Sequence, residues 1–571
     1  MTKKVNCSHI LSLLLLSTVL TAVFLGSCTG GDLSNIYSNS SATEKSSDIS
    51  TSEYDISGKG STYYISSSQG SDNNTGLSED SPWKTLEKAS NTSYSPGDSL
   101  LFKSGDSFDG TLCLTGSGSA VSPIKVSSYG NGGKPVLNGN GIERNRELYA
   151  DEFSDITGTV ELIEGSFWDI SGLEITNKKN QDGAFLAGIL VLDDCQSAEE
   201  YKSTPQSGIK ITDCNIHDVL SDDSEKRTGG IIIMGNYTDI LIDGNRIANT
   251  CVTAIRNVSW NSHVFGSPNV SHLKNYRISN NIITNIAGDC IVMDAVENGF
   301  IEYNYVNGYC TGDPQKDYAA LWTWSCKNVT IQYNEVTGGQ HTENDGTPFD
   351  VDYYNINTLV QYNYTHNNDK GIALFPINST GTVFRCNVSI NDGQSGESTL
   401  FSYQCESDYD APLIYNNIVY QNPGLSTTKL FNNYMDLNSL YVKLYNNILI
   451  LSDGMRLTEE NNISGGTIDG NIFVPSNILN TSTEKLSNGI YKAGNSQISR
   501  SAVLTAEIPL GDEPQGLITN RNTFDTSPLK KLFGGIGTIF DSSENISSSL
   551  STDIPALPES ISPETDFFLQ K

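Results

Sequence analysis

Basic residues are scarce in this chain: 35 Lys and Arg stand against 66 Asp and Glu, giving a formal charge of -31 and a pI near 4.4. Such a surface repels nucleic acid and offers no basic groove along which a phosphate backbone would run. The same field disfavours strongly acidic polymers and leaves neutral sugars open as partners. Paired cysteines are missing as well. The total of 11 is odd and contains no CxxC, and nine remain once Cys7 and Cys28 are set aside in the N-terminal segment. That scatter excludes a disulfide scaffold and a zinc site. Cys214, Cys251, Cys290, Cys326, Cys386 and Cys405 read instead as small buried hydrophobes. A 3.6-residue apolar period is absent from the body, which argues against a helical fold.

The N-terminus limits where the chain works. Lys3 and Lys4 precede an apolar run over residues 11–25 that ends in Leu25-Gly26-Ser27-Cys28. This reads as a secretory signal rather than a spanning helix. The small residues ahead of Cys28 resemble a bacterial lipobox, which implies cleavage before Cys28 and lipid attachment to its sulfur. From 29 to about 58 the chain is rich in Ser, Thr, Asn and Asp and has little to bury, as expected of a flexible tether. The expected product is an extracytoplasmic body held to a membrane or cell surface by its N-terminal lipid.

The body is a repeat. An apolar or aromatic residue, then Asn, then a β-branched residue recurs at Asn215, Asn245, Asn281, Asn304, Asn334, Asn363, Asn387, Asn417, Asn447 and Asn471, in steps of 30, 36, 23, 30, 29, 24, 30, 30 and 24 residues. Between these marks lie short apolar or alternating stretches bounded by Gly and Asn, such as residues 230–234, 238–243 and 328–333. Strand-and-turn units of this length predict an all-β, right-handed parallel β-helix of the pectate-lyase-like kind, since propeller blades need longer antiparallel units. Each coil is expected to set its Asn at the same bend, where Asn tolerates left-handed backbone and satisfies neighbouring backbone groups. The predicted organisation is a signal peptide over 1–27 and a tether with lipidated Cys28 over 28–58. An N-terminal cap with first coils follows over 59–140, then the β-helix body over 141–480. A C-terminal capping segment and disordered tail take 481–571, part of it folding back over the last coils.

Register gives the acids a geometry. Asp294 lies ten residues before Asn304, Trp324 ten before Asn334 and Asp352 eleven before Asn363. The three should share a lane on successive coils, with Asp294 and Asp352 about 10 Å apart and Trp324 between them. Trp322 shares the face of Trp324. The stretch Asp345-Gly-Thr-Pro-Phe-Asp350-Val-Asp352 places three acids in eight residues. Asp350 and Asp352 take one strand face, exposed in this reading, while Phe349 and Val351 take the core face. Asp345 sits in the incoming turn, shaped by Gly346 and Pro348.

Carboxylates beside an aromatic are what sugar hydrolysis uses: one acid protonates the leaving oxygen while another attacks the sugar or activates water. Proximity of two negative charges pushes one pKa upward, which supplies the protonated acid. The bland alternative is a solvated acidic turn. No cofactor is required for such chemistry, although carboxylates and Asn carbonyls are also the hard ligands calcium takes.

At this point the chain resembles known families. Its front segment, residues 63–141, looks like the opening of secreted parallel β-helix proteins that act on polysaccharides. The block over 320–375 resembles glycoside hydrolase family 136, with family 141 as the nearest rival. Family 136 contains lacto-N-biosidases, retaining enzymes that release lacto-N-biose from lacto-N-tetraose. Carried over by position, the resemblance makes Asp345 the acid/base and Asp352 the nucleophile, with Asp350 as a supporting carboxylate; Asp294, placed by register alone, is a further supporting carboxylate. It also implies an oligosaccharide partner and a dedicated folding chaperone, for which no residue here gives a sign.

For a retaining pair the carboxyls must approach to about 5.5 Å, so the turn bearing Asp345 has to fold back. An Asp294–Asp352 pair would instead suit inversion. Further cleft candidates are Trp260, His263, Arg256, His341 and Gln404 as substrate-binding groups, and Asp289, Glu335, Gln340, Glu343, Asp369 and Glu406 around them. Trp260 and His263 fall in the long 36-residue interval, where a loop should leave the solenoid and wall its face. Three other readings compete: a family 141-like fucosidase or xylanase, a calcium-dependent lyase using Lys316, Lys327 or Lys370 as base, and a noncatalytic surface glycan-binding protein.

Overall fold

A computed structural model describes residues 60–142, 156–178, 185–193, 205–221, 228–259, 270 and 272–395, most of 399–474, and short stretches at 484–485, 491–493, 496–499, 502–503 and 516–525. The chain is almost entirely β, wound as a right-handed parallel β-helix. Three long sheets run along it, of 17, 14 and 11 strands, called sheets I, II and III here. Each coil crosses sheet III, then I, then II: Leu321–Trp324, Thr330–Gln332 and Glu335–Thr337 make one such turn. The next coil repeats it with Phe349–Val351, Leu359–Gln361 and Tyr364–His366.

Inward residues from all three sheets stack like on like. Ile291, Leu321, Phe349, Ala373 and Phe401 succeed one another in register along sheet III, each buried. Covering a side chain of this size from water is worth about 2 kcal/mol each, so the repeated rung is the main source of stability. Inside the core the rings of Phe375, Phe384, Phe401 and Phe431 pack at centroid distances of 5.7 to 6.5 Å.

The asparagines form a continuous ladder at the corner between sheets I and II. From Asn245 through Asn447, each donates its backbone N–H and its Nδ2 to the Oδ1 of the next, for example Asn304 to Asn334 at 3.0 Å for both bonds. The series ends on Asn471. Two details differ from the sequence expectation. The left-handed residue is the one before the ladder Asn, as at Tyr303, Tyr333 and Tyr362, because the amide must turn inward while its predecessor makes the bend. Asn215 is not a ladder member: Cys214 occupies that rung and donates its N–H to Asn245 Oδ1, and Asn215 begins the following strand.

At the front, strands Thr62–Ile65, Ser99–Lys103 and Ile124–Tyr129 join sheet I directly. At the other end the solenoid passes residue 480, since Ser496–Ser499 pairs in parallel with Ile463–Asp469 and Ala502–Val503 with Ile472–Val474. Beyond these strands, the described residues 516–525 lie against middle coils. The N–H groups of Gly516 and Leu517 donate to the buried Glu335 carboxylate at 2.9 and 2.6 Å, and Asn522 exchanges two hydrogen bonds with Asn280. Among the described cysteines, Cys251 is half-buried rather than buried. Among the described residues no helix is long and apolar enough to cross a membrane.

Candidate active site

The outer face of sheet III and the corner where it turns into sheet I gather the aromatic and acidic residues. Register pairs Asp294 with Trp324 and Trp322 with Asp350. The ladder continues past the strand end through the Asp352 N–H, which donates to Thr323 O at 3.0 Å. Asp294, Trp324 and Asp352 therefore occupy one lane, and Trp322 and Asp350 the lane beside it. Phe349 and Val351 point into the core and are fully buried. Asp350 differs from its sequence reading, being only 4% exposed: the large neighbours Trp322 and Leu374 flank it in its lane.

Asp352 is held from its backbone. Its carbonyl accepts from Asn355 Nδ2 at 2.6 Å and from the Ser379 hydroxyl, and Asn355, itself buried, also accepts the Cys326 N–H. Its Oδ1 accepts the N–H of Tyr353 at 2.8 Å. Tyr353 is the functional residue that sequence reasoning missed. Its hydroxyl donates to Gln404 Oε1 at 2.9 Å, and its ring lies 5.8 Å from Trp324, which in turn lies 6.5 Å from Trp322 in an edge-on pair. Burial foremost, then the charge of Asp352, holds the Tyr353 phenol above the usual tyrosine range, with Asp350 and Asp345 adding and the Gln404 bond opposing. All three acids of the motif thus bear on one phenol. The available signal was an aromatic directly after the last acid.

Asp345, half-buried, sits in a turn pinned to the preceding coil. The Gly346 N–H donates to Tyr318 O at 2.6 Å, the Glu343 N–H to Pro314 O at 2.8 Å, and Asn344 Nδ2 to Asp317 at 2.6 Å. Gly346 takes φ +90°, and a Cβ there would meet Thr342 Oγ1 at 2.7 Å and Lys370 Cγ at 2.9 Å, so glycine is required on both counts.

Asp294 is fixed differently. Its N–H and C=O are bracketed by the amide of Asn257, and its Oδ2 accepts the Ser259 N–H at 3.1 Å. That anchors it to the coil before rather than toward Asp352. Arg256 belongs to the lane of Trp322 and Asp350 but three rungs from Asp350, about 14 Å along the sheet. His341 is exposed and turned to later coils, its ring bonded to the Ser395 hydroxyl at 3.1 Å and its N–H to Asp369. Glu335 lies on sheet II beneath the C-terminal segment, away from the cleft. Asp289 is buried and accepts the Ala319 N–H. Trp260, His263, Glu406 and Cys28 lie outside the described residues. Among the described residues no three His, Cys, Asp or Glu side chains are arranged to hold a metal ion, so the acidic triplet does not converge as a calcium ligand set.

No protein-family model matches the chain. A lacto-N-biosidase of Bifidobacterium longum subsp. longum is 28% identical over 501 residues, an alignment covering 73% of this chain and 30% of that protein. The chain therefore spans less than a third of that relative's length. Among solved structures, the GH136 lacto-N-biosidase from Eubacterium ramulus is similar in its selenomethionine form with a TM-score of 0.56 at 23% identity, covering 71% of this chain and 67% of the other. Its native form matches equally, with 70% and 67% covered. The chain is a right-handed parallel β-helix. Within that class it is similar to the lacto-N-biosidase of Bifidobacterium longum subsp. longum, at 28% identity.

Proposed function

We propose that this protein is a glycoside hydrolase acting on oligosaccharides, and in particular a retaining lacto-N-biosidase that releases lacto-N-biose from lacto-N-tetraose. The observation that carries this reading is the register that sets Asp352 in the lane of Trp324 and Asp350 in the adjoining lane of Trp322, with the Tyr353 ring against Trp324 and its N–H on Asp352. In the proposed reaction a sugar ring stacks on the tryptophan face, and the Asp345 carboxyl gives its proton to the glycosidic oxygen as that bond breaks. The Asp352 carboxylate forms a bond to the anomeric carbon in the same step. Asp345, now ionised, then takes a proton from water as the water displaces Asp352, which restores both groups. Tyr353 N–H on Asp352 Oδ1 orients the nucleophile. The anchoring of Asp294 to Ser259 and Asn257 favours Asp345 over Asp294 as the partner of Asp352.

Product analysis with lacto-N-tetraose, beside xylan and fucosylated oligosaccharides, tests the reading. Lacto-N-biose plus lactose is the expected outcome, and a folded protein that leaves lacto-N-tetraose intact would sink it. We further propose extracytoplasmic attachment through a lipid on Cys28, supported by residues 11–28 of the sequence. Incorporation of a labelled fatty acid into the wild type and its loss in Cys28→Ser is the expected result, and equal labelling of both would refute it.

A further inference from the structure

Lys370 stands out as a cation among acids that the sequence left without a role beyond that of an alternative lyase base. It precedes strand Ala373–Phe375 of the coil after the acidic motif. Its stem crosses Gly346, with Cγ close enough to exclude any Cβ there, and its ammonium donates to Asn344 O at 3.2 Å and to Glu343 O at 3.5 Å. The first of these carbonyls belongs to the peptide that links Asn344 to Asp345. The same turn is held from the other side by Tyr318, Pro314 and Asp317 of the preceding coil. The turn bearing Asp345 is therefore gripped by both neighbouring coils, and the grip from the following coil is a charged one.

We propose that Lys370 is a positioning residue for Asp345: it clamps the 343–346 turn over the site and sets a fixed positive charge beside the Asp345 carboxyl. This rests on the glycosidase reading above. The other charged groups on the packed segments are Asp313, Lys316 and Asp317 before the turn, His341 and Glu343 on it, Asp350 and Asp352 on the strand it enters, and Asp369 after it. Acids dominate this set, and the Lys370 ammonium opposes the negative field they set up around Asp345. It also ties a turn seven residues upstream of Asp352 to the following coil. A lyase base would need its amine directed at substrate, whereas this one is spent on backbone carbonyls.

The test compares full-length wild type, Lys370→Met and Lys370→Arg. Removing the cation raises the affinity of Asp345 for its proton. With Asp345 as proton donor, the basic limb of the kcat/KM profile for lacto-N-tetraose moves up by about 0.5–1 pH unit in the Met variant and stays in place in the Arg variant. Movement of the acidic limb instead also places Lys370 beside Asp345, while exchanging the roles of Asp345 and Asp352. Limbs unmoved in the Met variant overturn the proposal. Hydrogen exchange of the peptide spanning 341–348 gives a readout independent of activity: at least about tenfold faster exchange in the Met variant is expected, and unchanged exchange overturns the clamp. A wild type that leaves lacto-N-tetraose intact defeats the glycosidase reading, and the exchange comparison still decides the clamp.

Discussion

Two corners of the same coils use their polar residues in opposite ways. At the corner between sheets I and II, Asn304, Asn334 and Asn363 are fully enclosed and their amides satisfy one another and the backbone. Where sheet III turns into sheet I, Asp352 and Trp324 remain half-exposed and the polar groups come from different types of residue on each coil. Regularity marks the structural corner, because a ladder works only if every rung presents the same group. Departure from regularity marks the chemical one, because catalysis needs unlike groups at adjacent rungs. Clustered acids at one rung would be costly in the ladder, where burial penalises charge.

The comparison breaks most sharply at the acids. Asp352→Asn and Asp345→Asn are each expected to lower hydrolysis of lacto-N-tetraose by at least about a thousandfold while thermal unfolding stays within a few degrees and sugar binding persists. Retained turnover in either variant would return the motif to the status of an acidic turn. The ladder should respond in the reverse sense. Asn334→Ala removes the acceptor of the Asn304 N–H and of one Nδ2 hydrogen, the other staying on Ile278 O, and the expected loss is about 3 kcal/mol of stability in denaturant unfolding. The activity of the molecules that remain folded should be unchanged, and a loss of turnover without a loss of stability would contradict the division.

A buried acid tests the rule from inside. Asp392 accepts from Thr365, Ser389 and Asn368, yet burial raises its pKa to about 6 from 3.8. A folded-state pKa above the unfolded one favours the protonated native form. That contribution is fully present below about pH 4 and is lost as pH rises through about 6. Asp392→Asn, which resembles the protonated acid, should flatten this dependence by at most about 3 kcal/mol between pH 4 and 7. An unaltered pH–stability curve would show that Asp392 does not titrate in this range. The smallest effect is expected at the aromatic face: Trp324→Ala should raise KM roughly tenfold, about 1.4 kcal/mol, with a lesser change in kcat. A fall in kcat alone would instead assign Trp324 to holding Tyr353.

Much of the fold was legible because its signal repeats. Ten asparagines at nearly regular spacing identify a coil, and the shared lane of Asp294, Trp324 and Asp352 follows from counting. The count slipped at Asn215, where neighbouring residues Cys214 and Asn215 are equally consistent with the pattern and only hydrogen-bond direction separates them. The contacts of residues 516–525 with middle coils were not legible, because nothing in their sequence names Glu335 or Asn280.

The sequence by itself determined the solenoid, the corner ladder and the strand that carries Asp350 and leads into Asp352, since local periodicity and alternation are properties of neighbours in the chain. Tertiary structure alone decided the rest. It anchored Asp294 to the coil before, tied Tyr353 to Gln404 across 51 residues and brought Lys370 against the turn of Asp345. These contacts join residues one or two coils apart, where the length of each intervening loop sets who meets whom, and no local pattern encodes that length's consequence.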